Sequence, residues 1–396
     1  MRRRAFLRGL GAAAASGVLL GRPGATEAPP AAKPVEPARP PAVETNLADF
    51  QAVPRGPHAI PGPFPGRVVR VTDPRALVGE RLDPKAISDM FARGLAALSG
   101  REPRQSFEQL FSPADVVGIK VNPVGPPLIS TRLEVVDAIV AWLTASGLPR
   151  GQIVIWDRFE HMLAEAGFTP ARYPGVRIEG LQVLGEKGTA WRTPDGRHPS
   201  EERFDPQAFY LARGVTGEAV RGYDDLEHYL GQHVFAGEKS FFGRLVTREL
   251  TKIINVPVFK NTGQGVSMAT KNLGYGAICN TARLHEPLFF RVCTEVTAAP
   301  WIRDKLVLNV LDGLRGQYDG GPMPAAACVY PYRTLYFATD PIALDAVGHR
   351  HLVEKRRQAG VAVNEHPRFT RYLHDAEALG LGIADPARIQ LVEVPA

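Results

Sequence analysis

Short runs of apolar, mostly β-branched residues recur along the chain, at Val68–Val71, Val116–Val121, Ile153–Trp156, Ile253–Phe259, Leu306–Leu311, Leu335–Ala338 and Ile389–Val394. Apolarity that is continuous rather than alternating predicts strands buried on both faces. Between these runs the pattern changes to a helical one. Helices are predicted over Asp83–Leu98, Arg132–Ala145, Ser267–Leu273, Pro287–Val296, from Asp340-Pro341 to about Gln358, and over Arg368–Leu379. Val135, Ile139 and Leu143 form one stripe, and Asp83-Pro84 and Asp340-Pro341 each supply a capping carboxylate followed by the residue best suited to a first helical position. The alternation predicts an α/β fold, a mostly parallel sheet covered by helices, in two lobes with an inserted segment.

The rhythm lapses twice. Pro29–Gly66 carries the blocks PPAAKP, PARPPA and IPGPFPG and reads as an extended linker, with the folded body starting at Arg67. Gly185–Arg244 is polar and turn-rich and reads as the insertion, placed to form a lid or wall. Within it Asp224, Asp225 and His228 share helical spacing, which suits a solvated helix face better than a metal site needing three or four ligands.

The strand ends carry the chemistry. Lys120 and Asn122, Asp157, Lys260 and Asn261, Asp312, and Asp340 each follow a predicted strand, and open α/β sheets bind ligands beyond the carboxyl ends of their strands. The stretch from Thr251 to Ala277 concentrates the pattern. Lys260-Asn261 ends a strand, Gly263 and Gly265 give a turn with free backbone N–H groups, and Lys271-Asn272 lies on the helix that follows. Three lysines and three asparagines predict a site for a small anion, with Lys120, Lys260 and Lys271 polarising it and Asp312, Asp340 or His285 moving a proton. A lysine crowded by other cations can itself act as base or nucleophile. Asp345 and His349, at i and i+4, are spaced to pair on a capped helix, and Gly313–Pro322 reads as a glycine-rich loop.

Charge changes the picture only at the start of the chain. Of the formal net charge of +6, four units fall within the first 30 residues, where five arginines face Glu27 alone. The remainder is too nearly neutral to indicate a nucleic-acid partner. Residues 1–28 read as an export signal, a basic start followed by the apolar segment Leu10–Leu20, too short for a membrane span, then small residues. Arg3-Arg4-Ala5-Phe6-Leu7-Arg8 resembles the twin-arginine translocation motif, which implies an exported, periplasmic protein and the twin-arginine machinery as a partner. Cys279, Cys293 and Cys328 show no C-x-x-C spacing; they are read as buried thiols, with one bridged pair open as an alternative.

The segments VGIKVNP, INVPVFKN, MATKNLGYGAI, the loop from Asp312-Gly313 to GGP, and TDPIALDAVG together resemble the uncharacterised family called domain of unknown function 362, in its twin-arginine-exported branch. The likeness covers about Asp115 to Gly348. It implies an α/β fold and, in some members, an association with iron–sulfur domains, although this chain lacks the cysteine-rich segment those members carry. The matching lysines and asparagines are Lys120, Asn122, Lys260, Asn261, Lys271 and Asn272. The expected function is an enzyme acting on a small anion in a Lys/Asn-lined cleft, with a metal or redox-cofactor protein and a non-catalytic periplasmic factor as alternatives.

Overall fold

The computed structural model describes residues 43–183, 200–217, 237–285 and 288–396. The export signal, the first part of the linker, and Asp224, Asp225 and His228 lie outside the described residues.

The chain is built into the fold from well before Arg67. Helix α1 (Leu47–Ala52) buries Phe50, whose ring meets Phe242 and Trp301 edge-on at 6.3 and 6.0 Å, and Ile60 is fully buried. The second half of the expected linker is therefore part of the core. Its prolines shape a packed segment because buried aromatic and aliphatic side chains anchor it between them.

Next come β1 (Arg67–Thr72), α2 (Pro84–Ser99), β2 (Val117–Lys120), α3 (Leu133–Ala145), β3 (Ile153–Phe159) and β4 (Arg177–Gln182). Within the insertion, β5 (Phe204–Leu211) and β6 (Lys239–Gly243) pair antiparallel. They bury Phe204, Tyr210 and Phe242 in the same core. The chain continues through β7 (Lys252–Asn255), β8 (Val258–Thr262), β9 (Gly265–Val266), α4 (Ala269–Gly274), α5 (Phe289–Thr297) and β10 (Leu306–Gln317). It ends with β11 (Val329–Tyr330), β12 (Thr334–Ala338), α6 (Pro341–Gln358), α7 (Arg371–Ala378) and β13 (Gln390–Val394).

One 11-stranded sheet organises these elements, in the order β13-β1-β12-β10-β7-β2-β3-β4, with β8 and β11 added along the extension of β10 and β9 paired to β8. Of the eight strands in that path, β12 alone runs antiparallel to its neighbours. Alternate residues of each strand enter different cores. Ile155, Ile119, Ile254 and Val310 pack under α2 and α3, while Trp156, Ile253 and Leu311 pack with α4, α5 and α6. The two lobes expected resolve into the two faces of this sheet.

Two strands differ from the sequence reading. The run Ile253–Phe259 is split into β7 and β8 because Pro257 has no N–H to give the ladder, and β8 swings across to pair with β10 beyond Asp312. Strand β10 runs on through Gln317, so the first half of the expected glycine-rich loop is strand. No helix among the described residues is long and apolar enough to cross a membrane.

Candidate active site at the carboxyl edge of the sheet

Register gathers the first polar row. Trp156, Lys120, Asn255 and Asn309 are cross-strand neighbours on β3, β2, β7 and β10, so their side chains stand on one face, beneath α4. A chain of amides runs through them. Lys260 Nζ donates to Asn122 Oδ1 at 2.9 Å, Asn122 Nδ2 to Asn272 Oδ1 at 3.1 Å, and Asn272 Nδ2 to Asn255 Oδ1 at 2.8 Å. Asn255 Nδ2 then donates to Asn309 Oδ1 at 2.9 Å, and Asn309 Nδ2 to the Ala338 carbonyl at 3.3 Å. Every donor points the same way. An ammonium group has donors only, so Lys260 fixes the Asn122 carbonyl towards itself and thereby the sense of every amide behind it.

Lys120 and Lys260 are buried at this edge and Lys271 is half-buried, and the three differ in their partners. Lys120 forms an ion pair with Asp157 and also donates to the Val121 carbonyl at 2.9 Å and to Asn272 Oδ1 at 3.3 Å. Burial lowers its pKa and Asp157 works against that shift. The side chain passes so close to Gly276 that a Cβ there would lie 2.4 Å from Lys120 Cε; only glycine leaves it room. Lys260 is 1% exposed and has Asn122 as its one side-chain acceptor among the described residues. Desolvation, then the charges of Lys271 and Lys120, bring its pKa down to about 7, with Asp157 opposing. Among the described residues Lys271 meets rings instead of acceptors, with Nζ 5.0 Å from the Tyr275 centroid and 5.2 Å from that of Phe289. Its pKa is also lowered, chiefly by desolvation.

His285 borders Lys271. Its ring lies 4.5 Å from Tyr275 and 5.6 Å from Phe289, and desolvation against them, followed by the Lys271 charge, pushes its pKa down to about 4. The ring is therefore neutral at pH 7. Nδ1 sits 2.9 Å from the Thr281 carbonyl, which can only accept, so Nδ1 carries the proton and Nε2 keeps a free lone pair.

Other expected site residues do different work. Asp312 projects to the opposite face of the sheet from Asn309, where it accepts the Arg132 and Leu314 N–H groups at 2.7 and 3.0 Å and holds the start of α3. Burial raises its pKa to about 6. Asp340 lies at the other edge altogether. Because β12 is antiparallel, its carboxyl end falls at the amino ends of its neighbours, and Asp340 caps α6 far from the lysines' edge. Asn261 supports a turn rather than a ligand, donating to the Gly263 carbonyl at 2.8 Å and accepting from Gly321 N at 2.9 Å. Gly263 and Gly265 belong to the tight β8–β9 connection, where Gly263 has φ +51° and the Gly263 carbonyl also accepts from Arg356. Asp345 does not pair with His349. It accepts from Ala269 N, Thr270 N and Thr270 Oγ1 at 2.7, 3.1 and 2.6 Å, fixing the first turn of the helix that carries Lys271 and Asn272.

The decisive segment, from β7 to the start of α6, is also where the chain resembles known sequences. Residues 224–350 match the family model described as Domain of unknown function (DUF362). No curated protein and no solved structure matches the chain. The DUF362 match takes in Lys260, Lys271, Asn272, His285 and Asp345, whereas Lys120, Asn122 and Asp157 precede it. The site thus joins the matched segment to two strands outside it.

Asn255, Asn309 and Tyr275 are neighbours of the lysines that strand-end reasoning passed over, and Asp345 was read only as a partner for His349. The two asparagines carried a signal, a lone amide inside the apolar runs IIN and LNV, which a buried strand tolerates only with partners. Among the described residues no group of three or more His, Cys, Asp or Glu side chains comes together to hold a metal.

Proposed function

We propose that this chain is an exported enzyme that holds a small anion beside Lys271 and moves a proton with Lys260. The state of Lys260 carries the reading: a buried amine with a single side-chain partner, flanked by two cations, at the edge where α/β sheets bind ligands. A base that titrates near neutrality combines a usable free amine with a useful driving force for proton transfer. When Lys260 is neutral, it still donates to Asn122 and its lone pair is left for the substrate. The same lone pair could attack a carbonyl carbon, the C=O π pair moving onto oxygen as an alkoxide that takes up the proton released from the new C–N centre, to give a neutral carbinolamine. Lys120 is neutralised by Asp157 and serves to position Asn272. Lys271, with ring contacts only among the described residues, is the cation available to an anionic ligand.

Millimolar phosphate or malonate should raise the thermal midpoint more than chloride at equal ionic strength, since a ligand that binds only the folded state stabilises it. Lys271→Met should remove that difference. An equal response to all three salts would sink the anion site, and binding without turnover of any candidate metabolite would leave a periplasmic binding factor instead.

Export through the twin-arginine pathway rests on Arg3-Arg4 and the apolar segment behind them. Replacing both arginines with lysine should leave precursor in the cytoplasm, whereas normal processing of that variant would overturn the assignment.

A further inference from the structure

We infer that the anion bound at the lysines carries an apolar, ring-sized body, and that this body sits in the pocket walled by Thr262, Leu288, Phe289, Phe290 and Phe369. The inference rests on the anion-site reading above and goes beyond it by assigning the rest of the ligand. The pocket has a volume of about 440 Å³, within the range of small-molecule sites, and its remaining lining comes from Gly263, Arg291 and Arg368.

Two links join the pocket to the lysines. Thr262 follows Lys260 by two residues on β8, so the two side chains leave the strand on the same side, about 7 Å apart. Phe289 is shared: its ring stands 5.2 Å from Lys271 Nζ and also forms a pocket wall, where it meets Phe290 edge-on at 4.9 Å. A compact anion would satisfy the cations and leave these rings facing water. A ligand with a charged head and an apolar body fits both parts at once.

The charge pattern agrees. Among the described residues no carboxylate lines the pocket, and its two charged residues there are both arginines. Arg291 is tied to Glu295, while the exposed Arg368 guanidinium lies 4.6 Å over the Phe369 ring and leaves the rim positive. An approaching anion is favoured and a cation is not.

Calorimetric titration of the mature protein with 3-phenylpropionate and with propionate separates the two readings. Phenylpropionate should bind about tenfold or more tightly, because only it buries a ring's worth of apolar surface. Thr262→Phe, which fills the pocket, should reduce that advantage to less than about threefold while propionate binds as before. Equal affinities in the wild type, or an advantage that survives Thr262→Phe, would overturn the inference and leave the lysine site standing. Failure of both acids to bind would overturn the lysine site as well. Should Thr262→Phe not fold, nuclear Overhauser contacts between the phenyl protons and the Leu288 methyls in the wild-type complex decide the matter, and their absence at saturation refutes the placement.

Discussion

Asp340 and Lys260 are buried ionisable groups at opposite edges of one sheet, and they are treated in opposite ways. The Asp340 carboxylate accepts four backbone N–H groups, from Gly66, Ile342, Ala343 and Ile383, all within 3.0 Å. They tie the start of α6 to the entry of β1 and to the turn after α7. Lys260 has one side-chain acceptor and two like charges in its field. Saturation of hydrogen-bonding capacity marks the first as structural, and its lack is what supports the proposal of a ligand beside the second. Motif position alone ranked the two equally, because both follow a strand.

Three substitutions test that contrast, in order of expected effect. Asp340→Ala removes an acceptor shared by four N–H groups in a buried setting and should destabilise the fold by about 4 kcal/mol, read from the urea midpoint. A loss below about 1 kcal/mol would mean that water replaces the carboxylate and that the hub is not structural. Lys120→Met leaves Asp157 buried without its cation and should cost about 3 kcal/mol, most of which Asp157→Asn in the same chain should restore. If the single variant is neutral, the pair contributes nothing and Lys120 belongs with Lys260.

Lys260→Met should act with the opposite sign. The folded-state pKa is lowered to about 7 from the unfolded value near 10.4, so between those limits the unfolded chain binds more protons and wild-type stability rises with pH. Relief of that shift is worth about 4 kcal/mol at pH 7 and the unpaired Asn122 carbonyl costs about 2 of it, so the variant should be more stable than the wild type by on the order of 2 kcal/mol at pH 7, with the gain vanishing near pH 9. A gain independent of pH would show that Lys260 keeps its charge in the fold with an unshifted pKa, and is not poised to act as a base.

Local signals were legible where the residues themselves decide the outcome. Asp83-Pro84 and Asp340-Pro341 start α2 and α6 as their chemistry requires, and the apolar runs are strands. The direction of β12 was not legible, because a short buried run looks the same read either way; only its antiparallel pairing with β1 and β10 settles it, and that sends Asp340 to the edge opposite the lysines. The Lys120–Asp157 pair spans 37 residues and depends on β2 lying beside β3, a matter of sheet order. The cluster of Lys120, Lys260 and Lys271 was legible because strand ends in parallel sheets share an edge. Asp312 was misplaced by the side its residue parity assigns it. The folded body was dated too late because a proline-rich composition hides the single anchors Phe50 and Ile60.

The amide chain that begins at Lys260 ends on the Ala338 carbonyl, two residues before Asp340. It is therefore a built-in reporter line across the sheet. When Lys260 gains or loses a proton, the polarisation of each successive amide changes in step, and the last member is a backbone carbonyl whose peptide partner is Thr339 N. The Thr339 amide resonance should then show a step at the Lys260 midpoint of about 7 that Lys260→Met abolishes, while any step from the neighbouring Asp340, raised to about 6 by burial, survives the substitution. The state of Lys260 can be read at the other end of this row of amides, on β12, a strand that carries none of the three lysines.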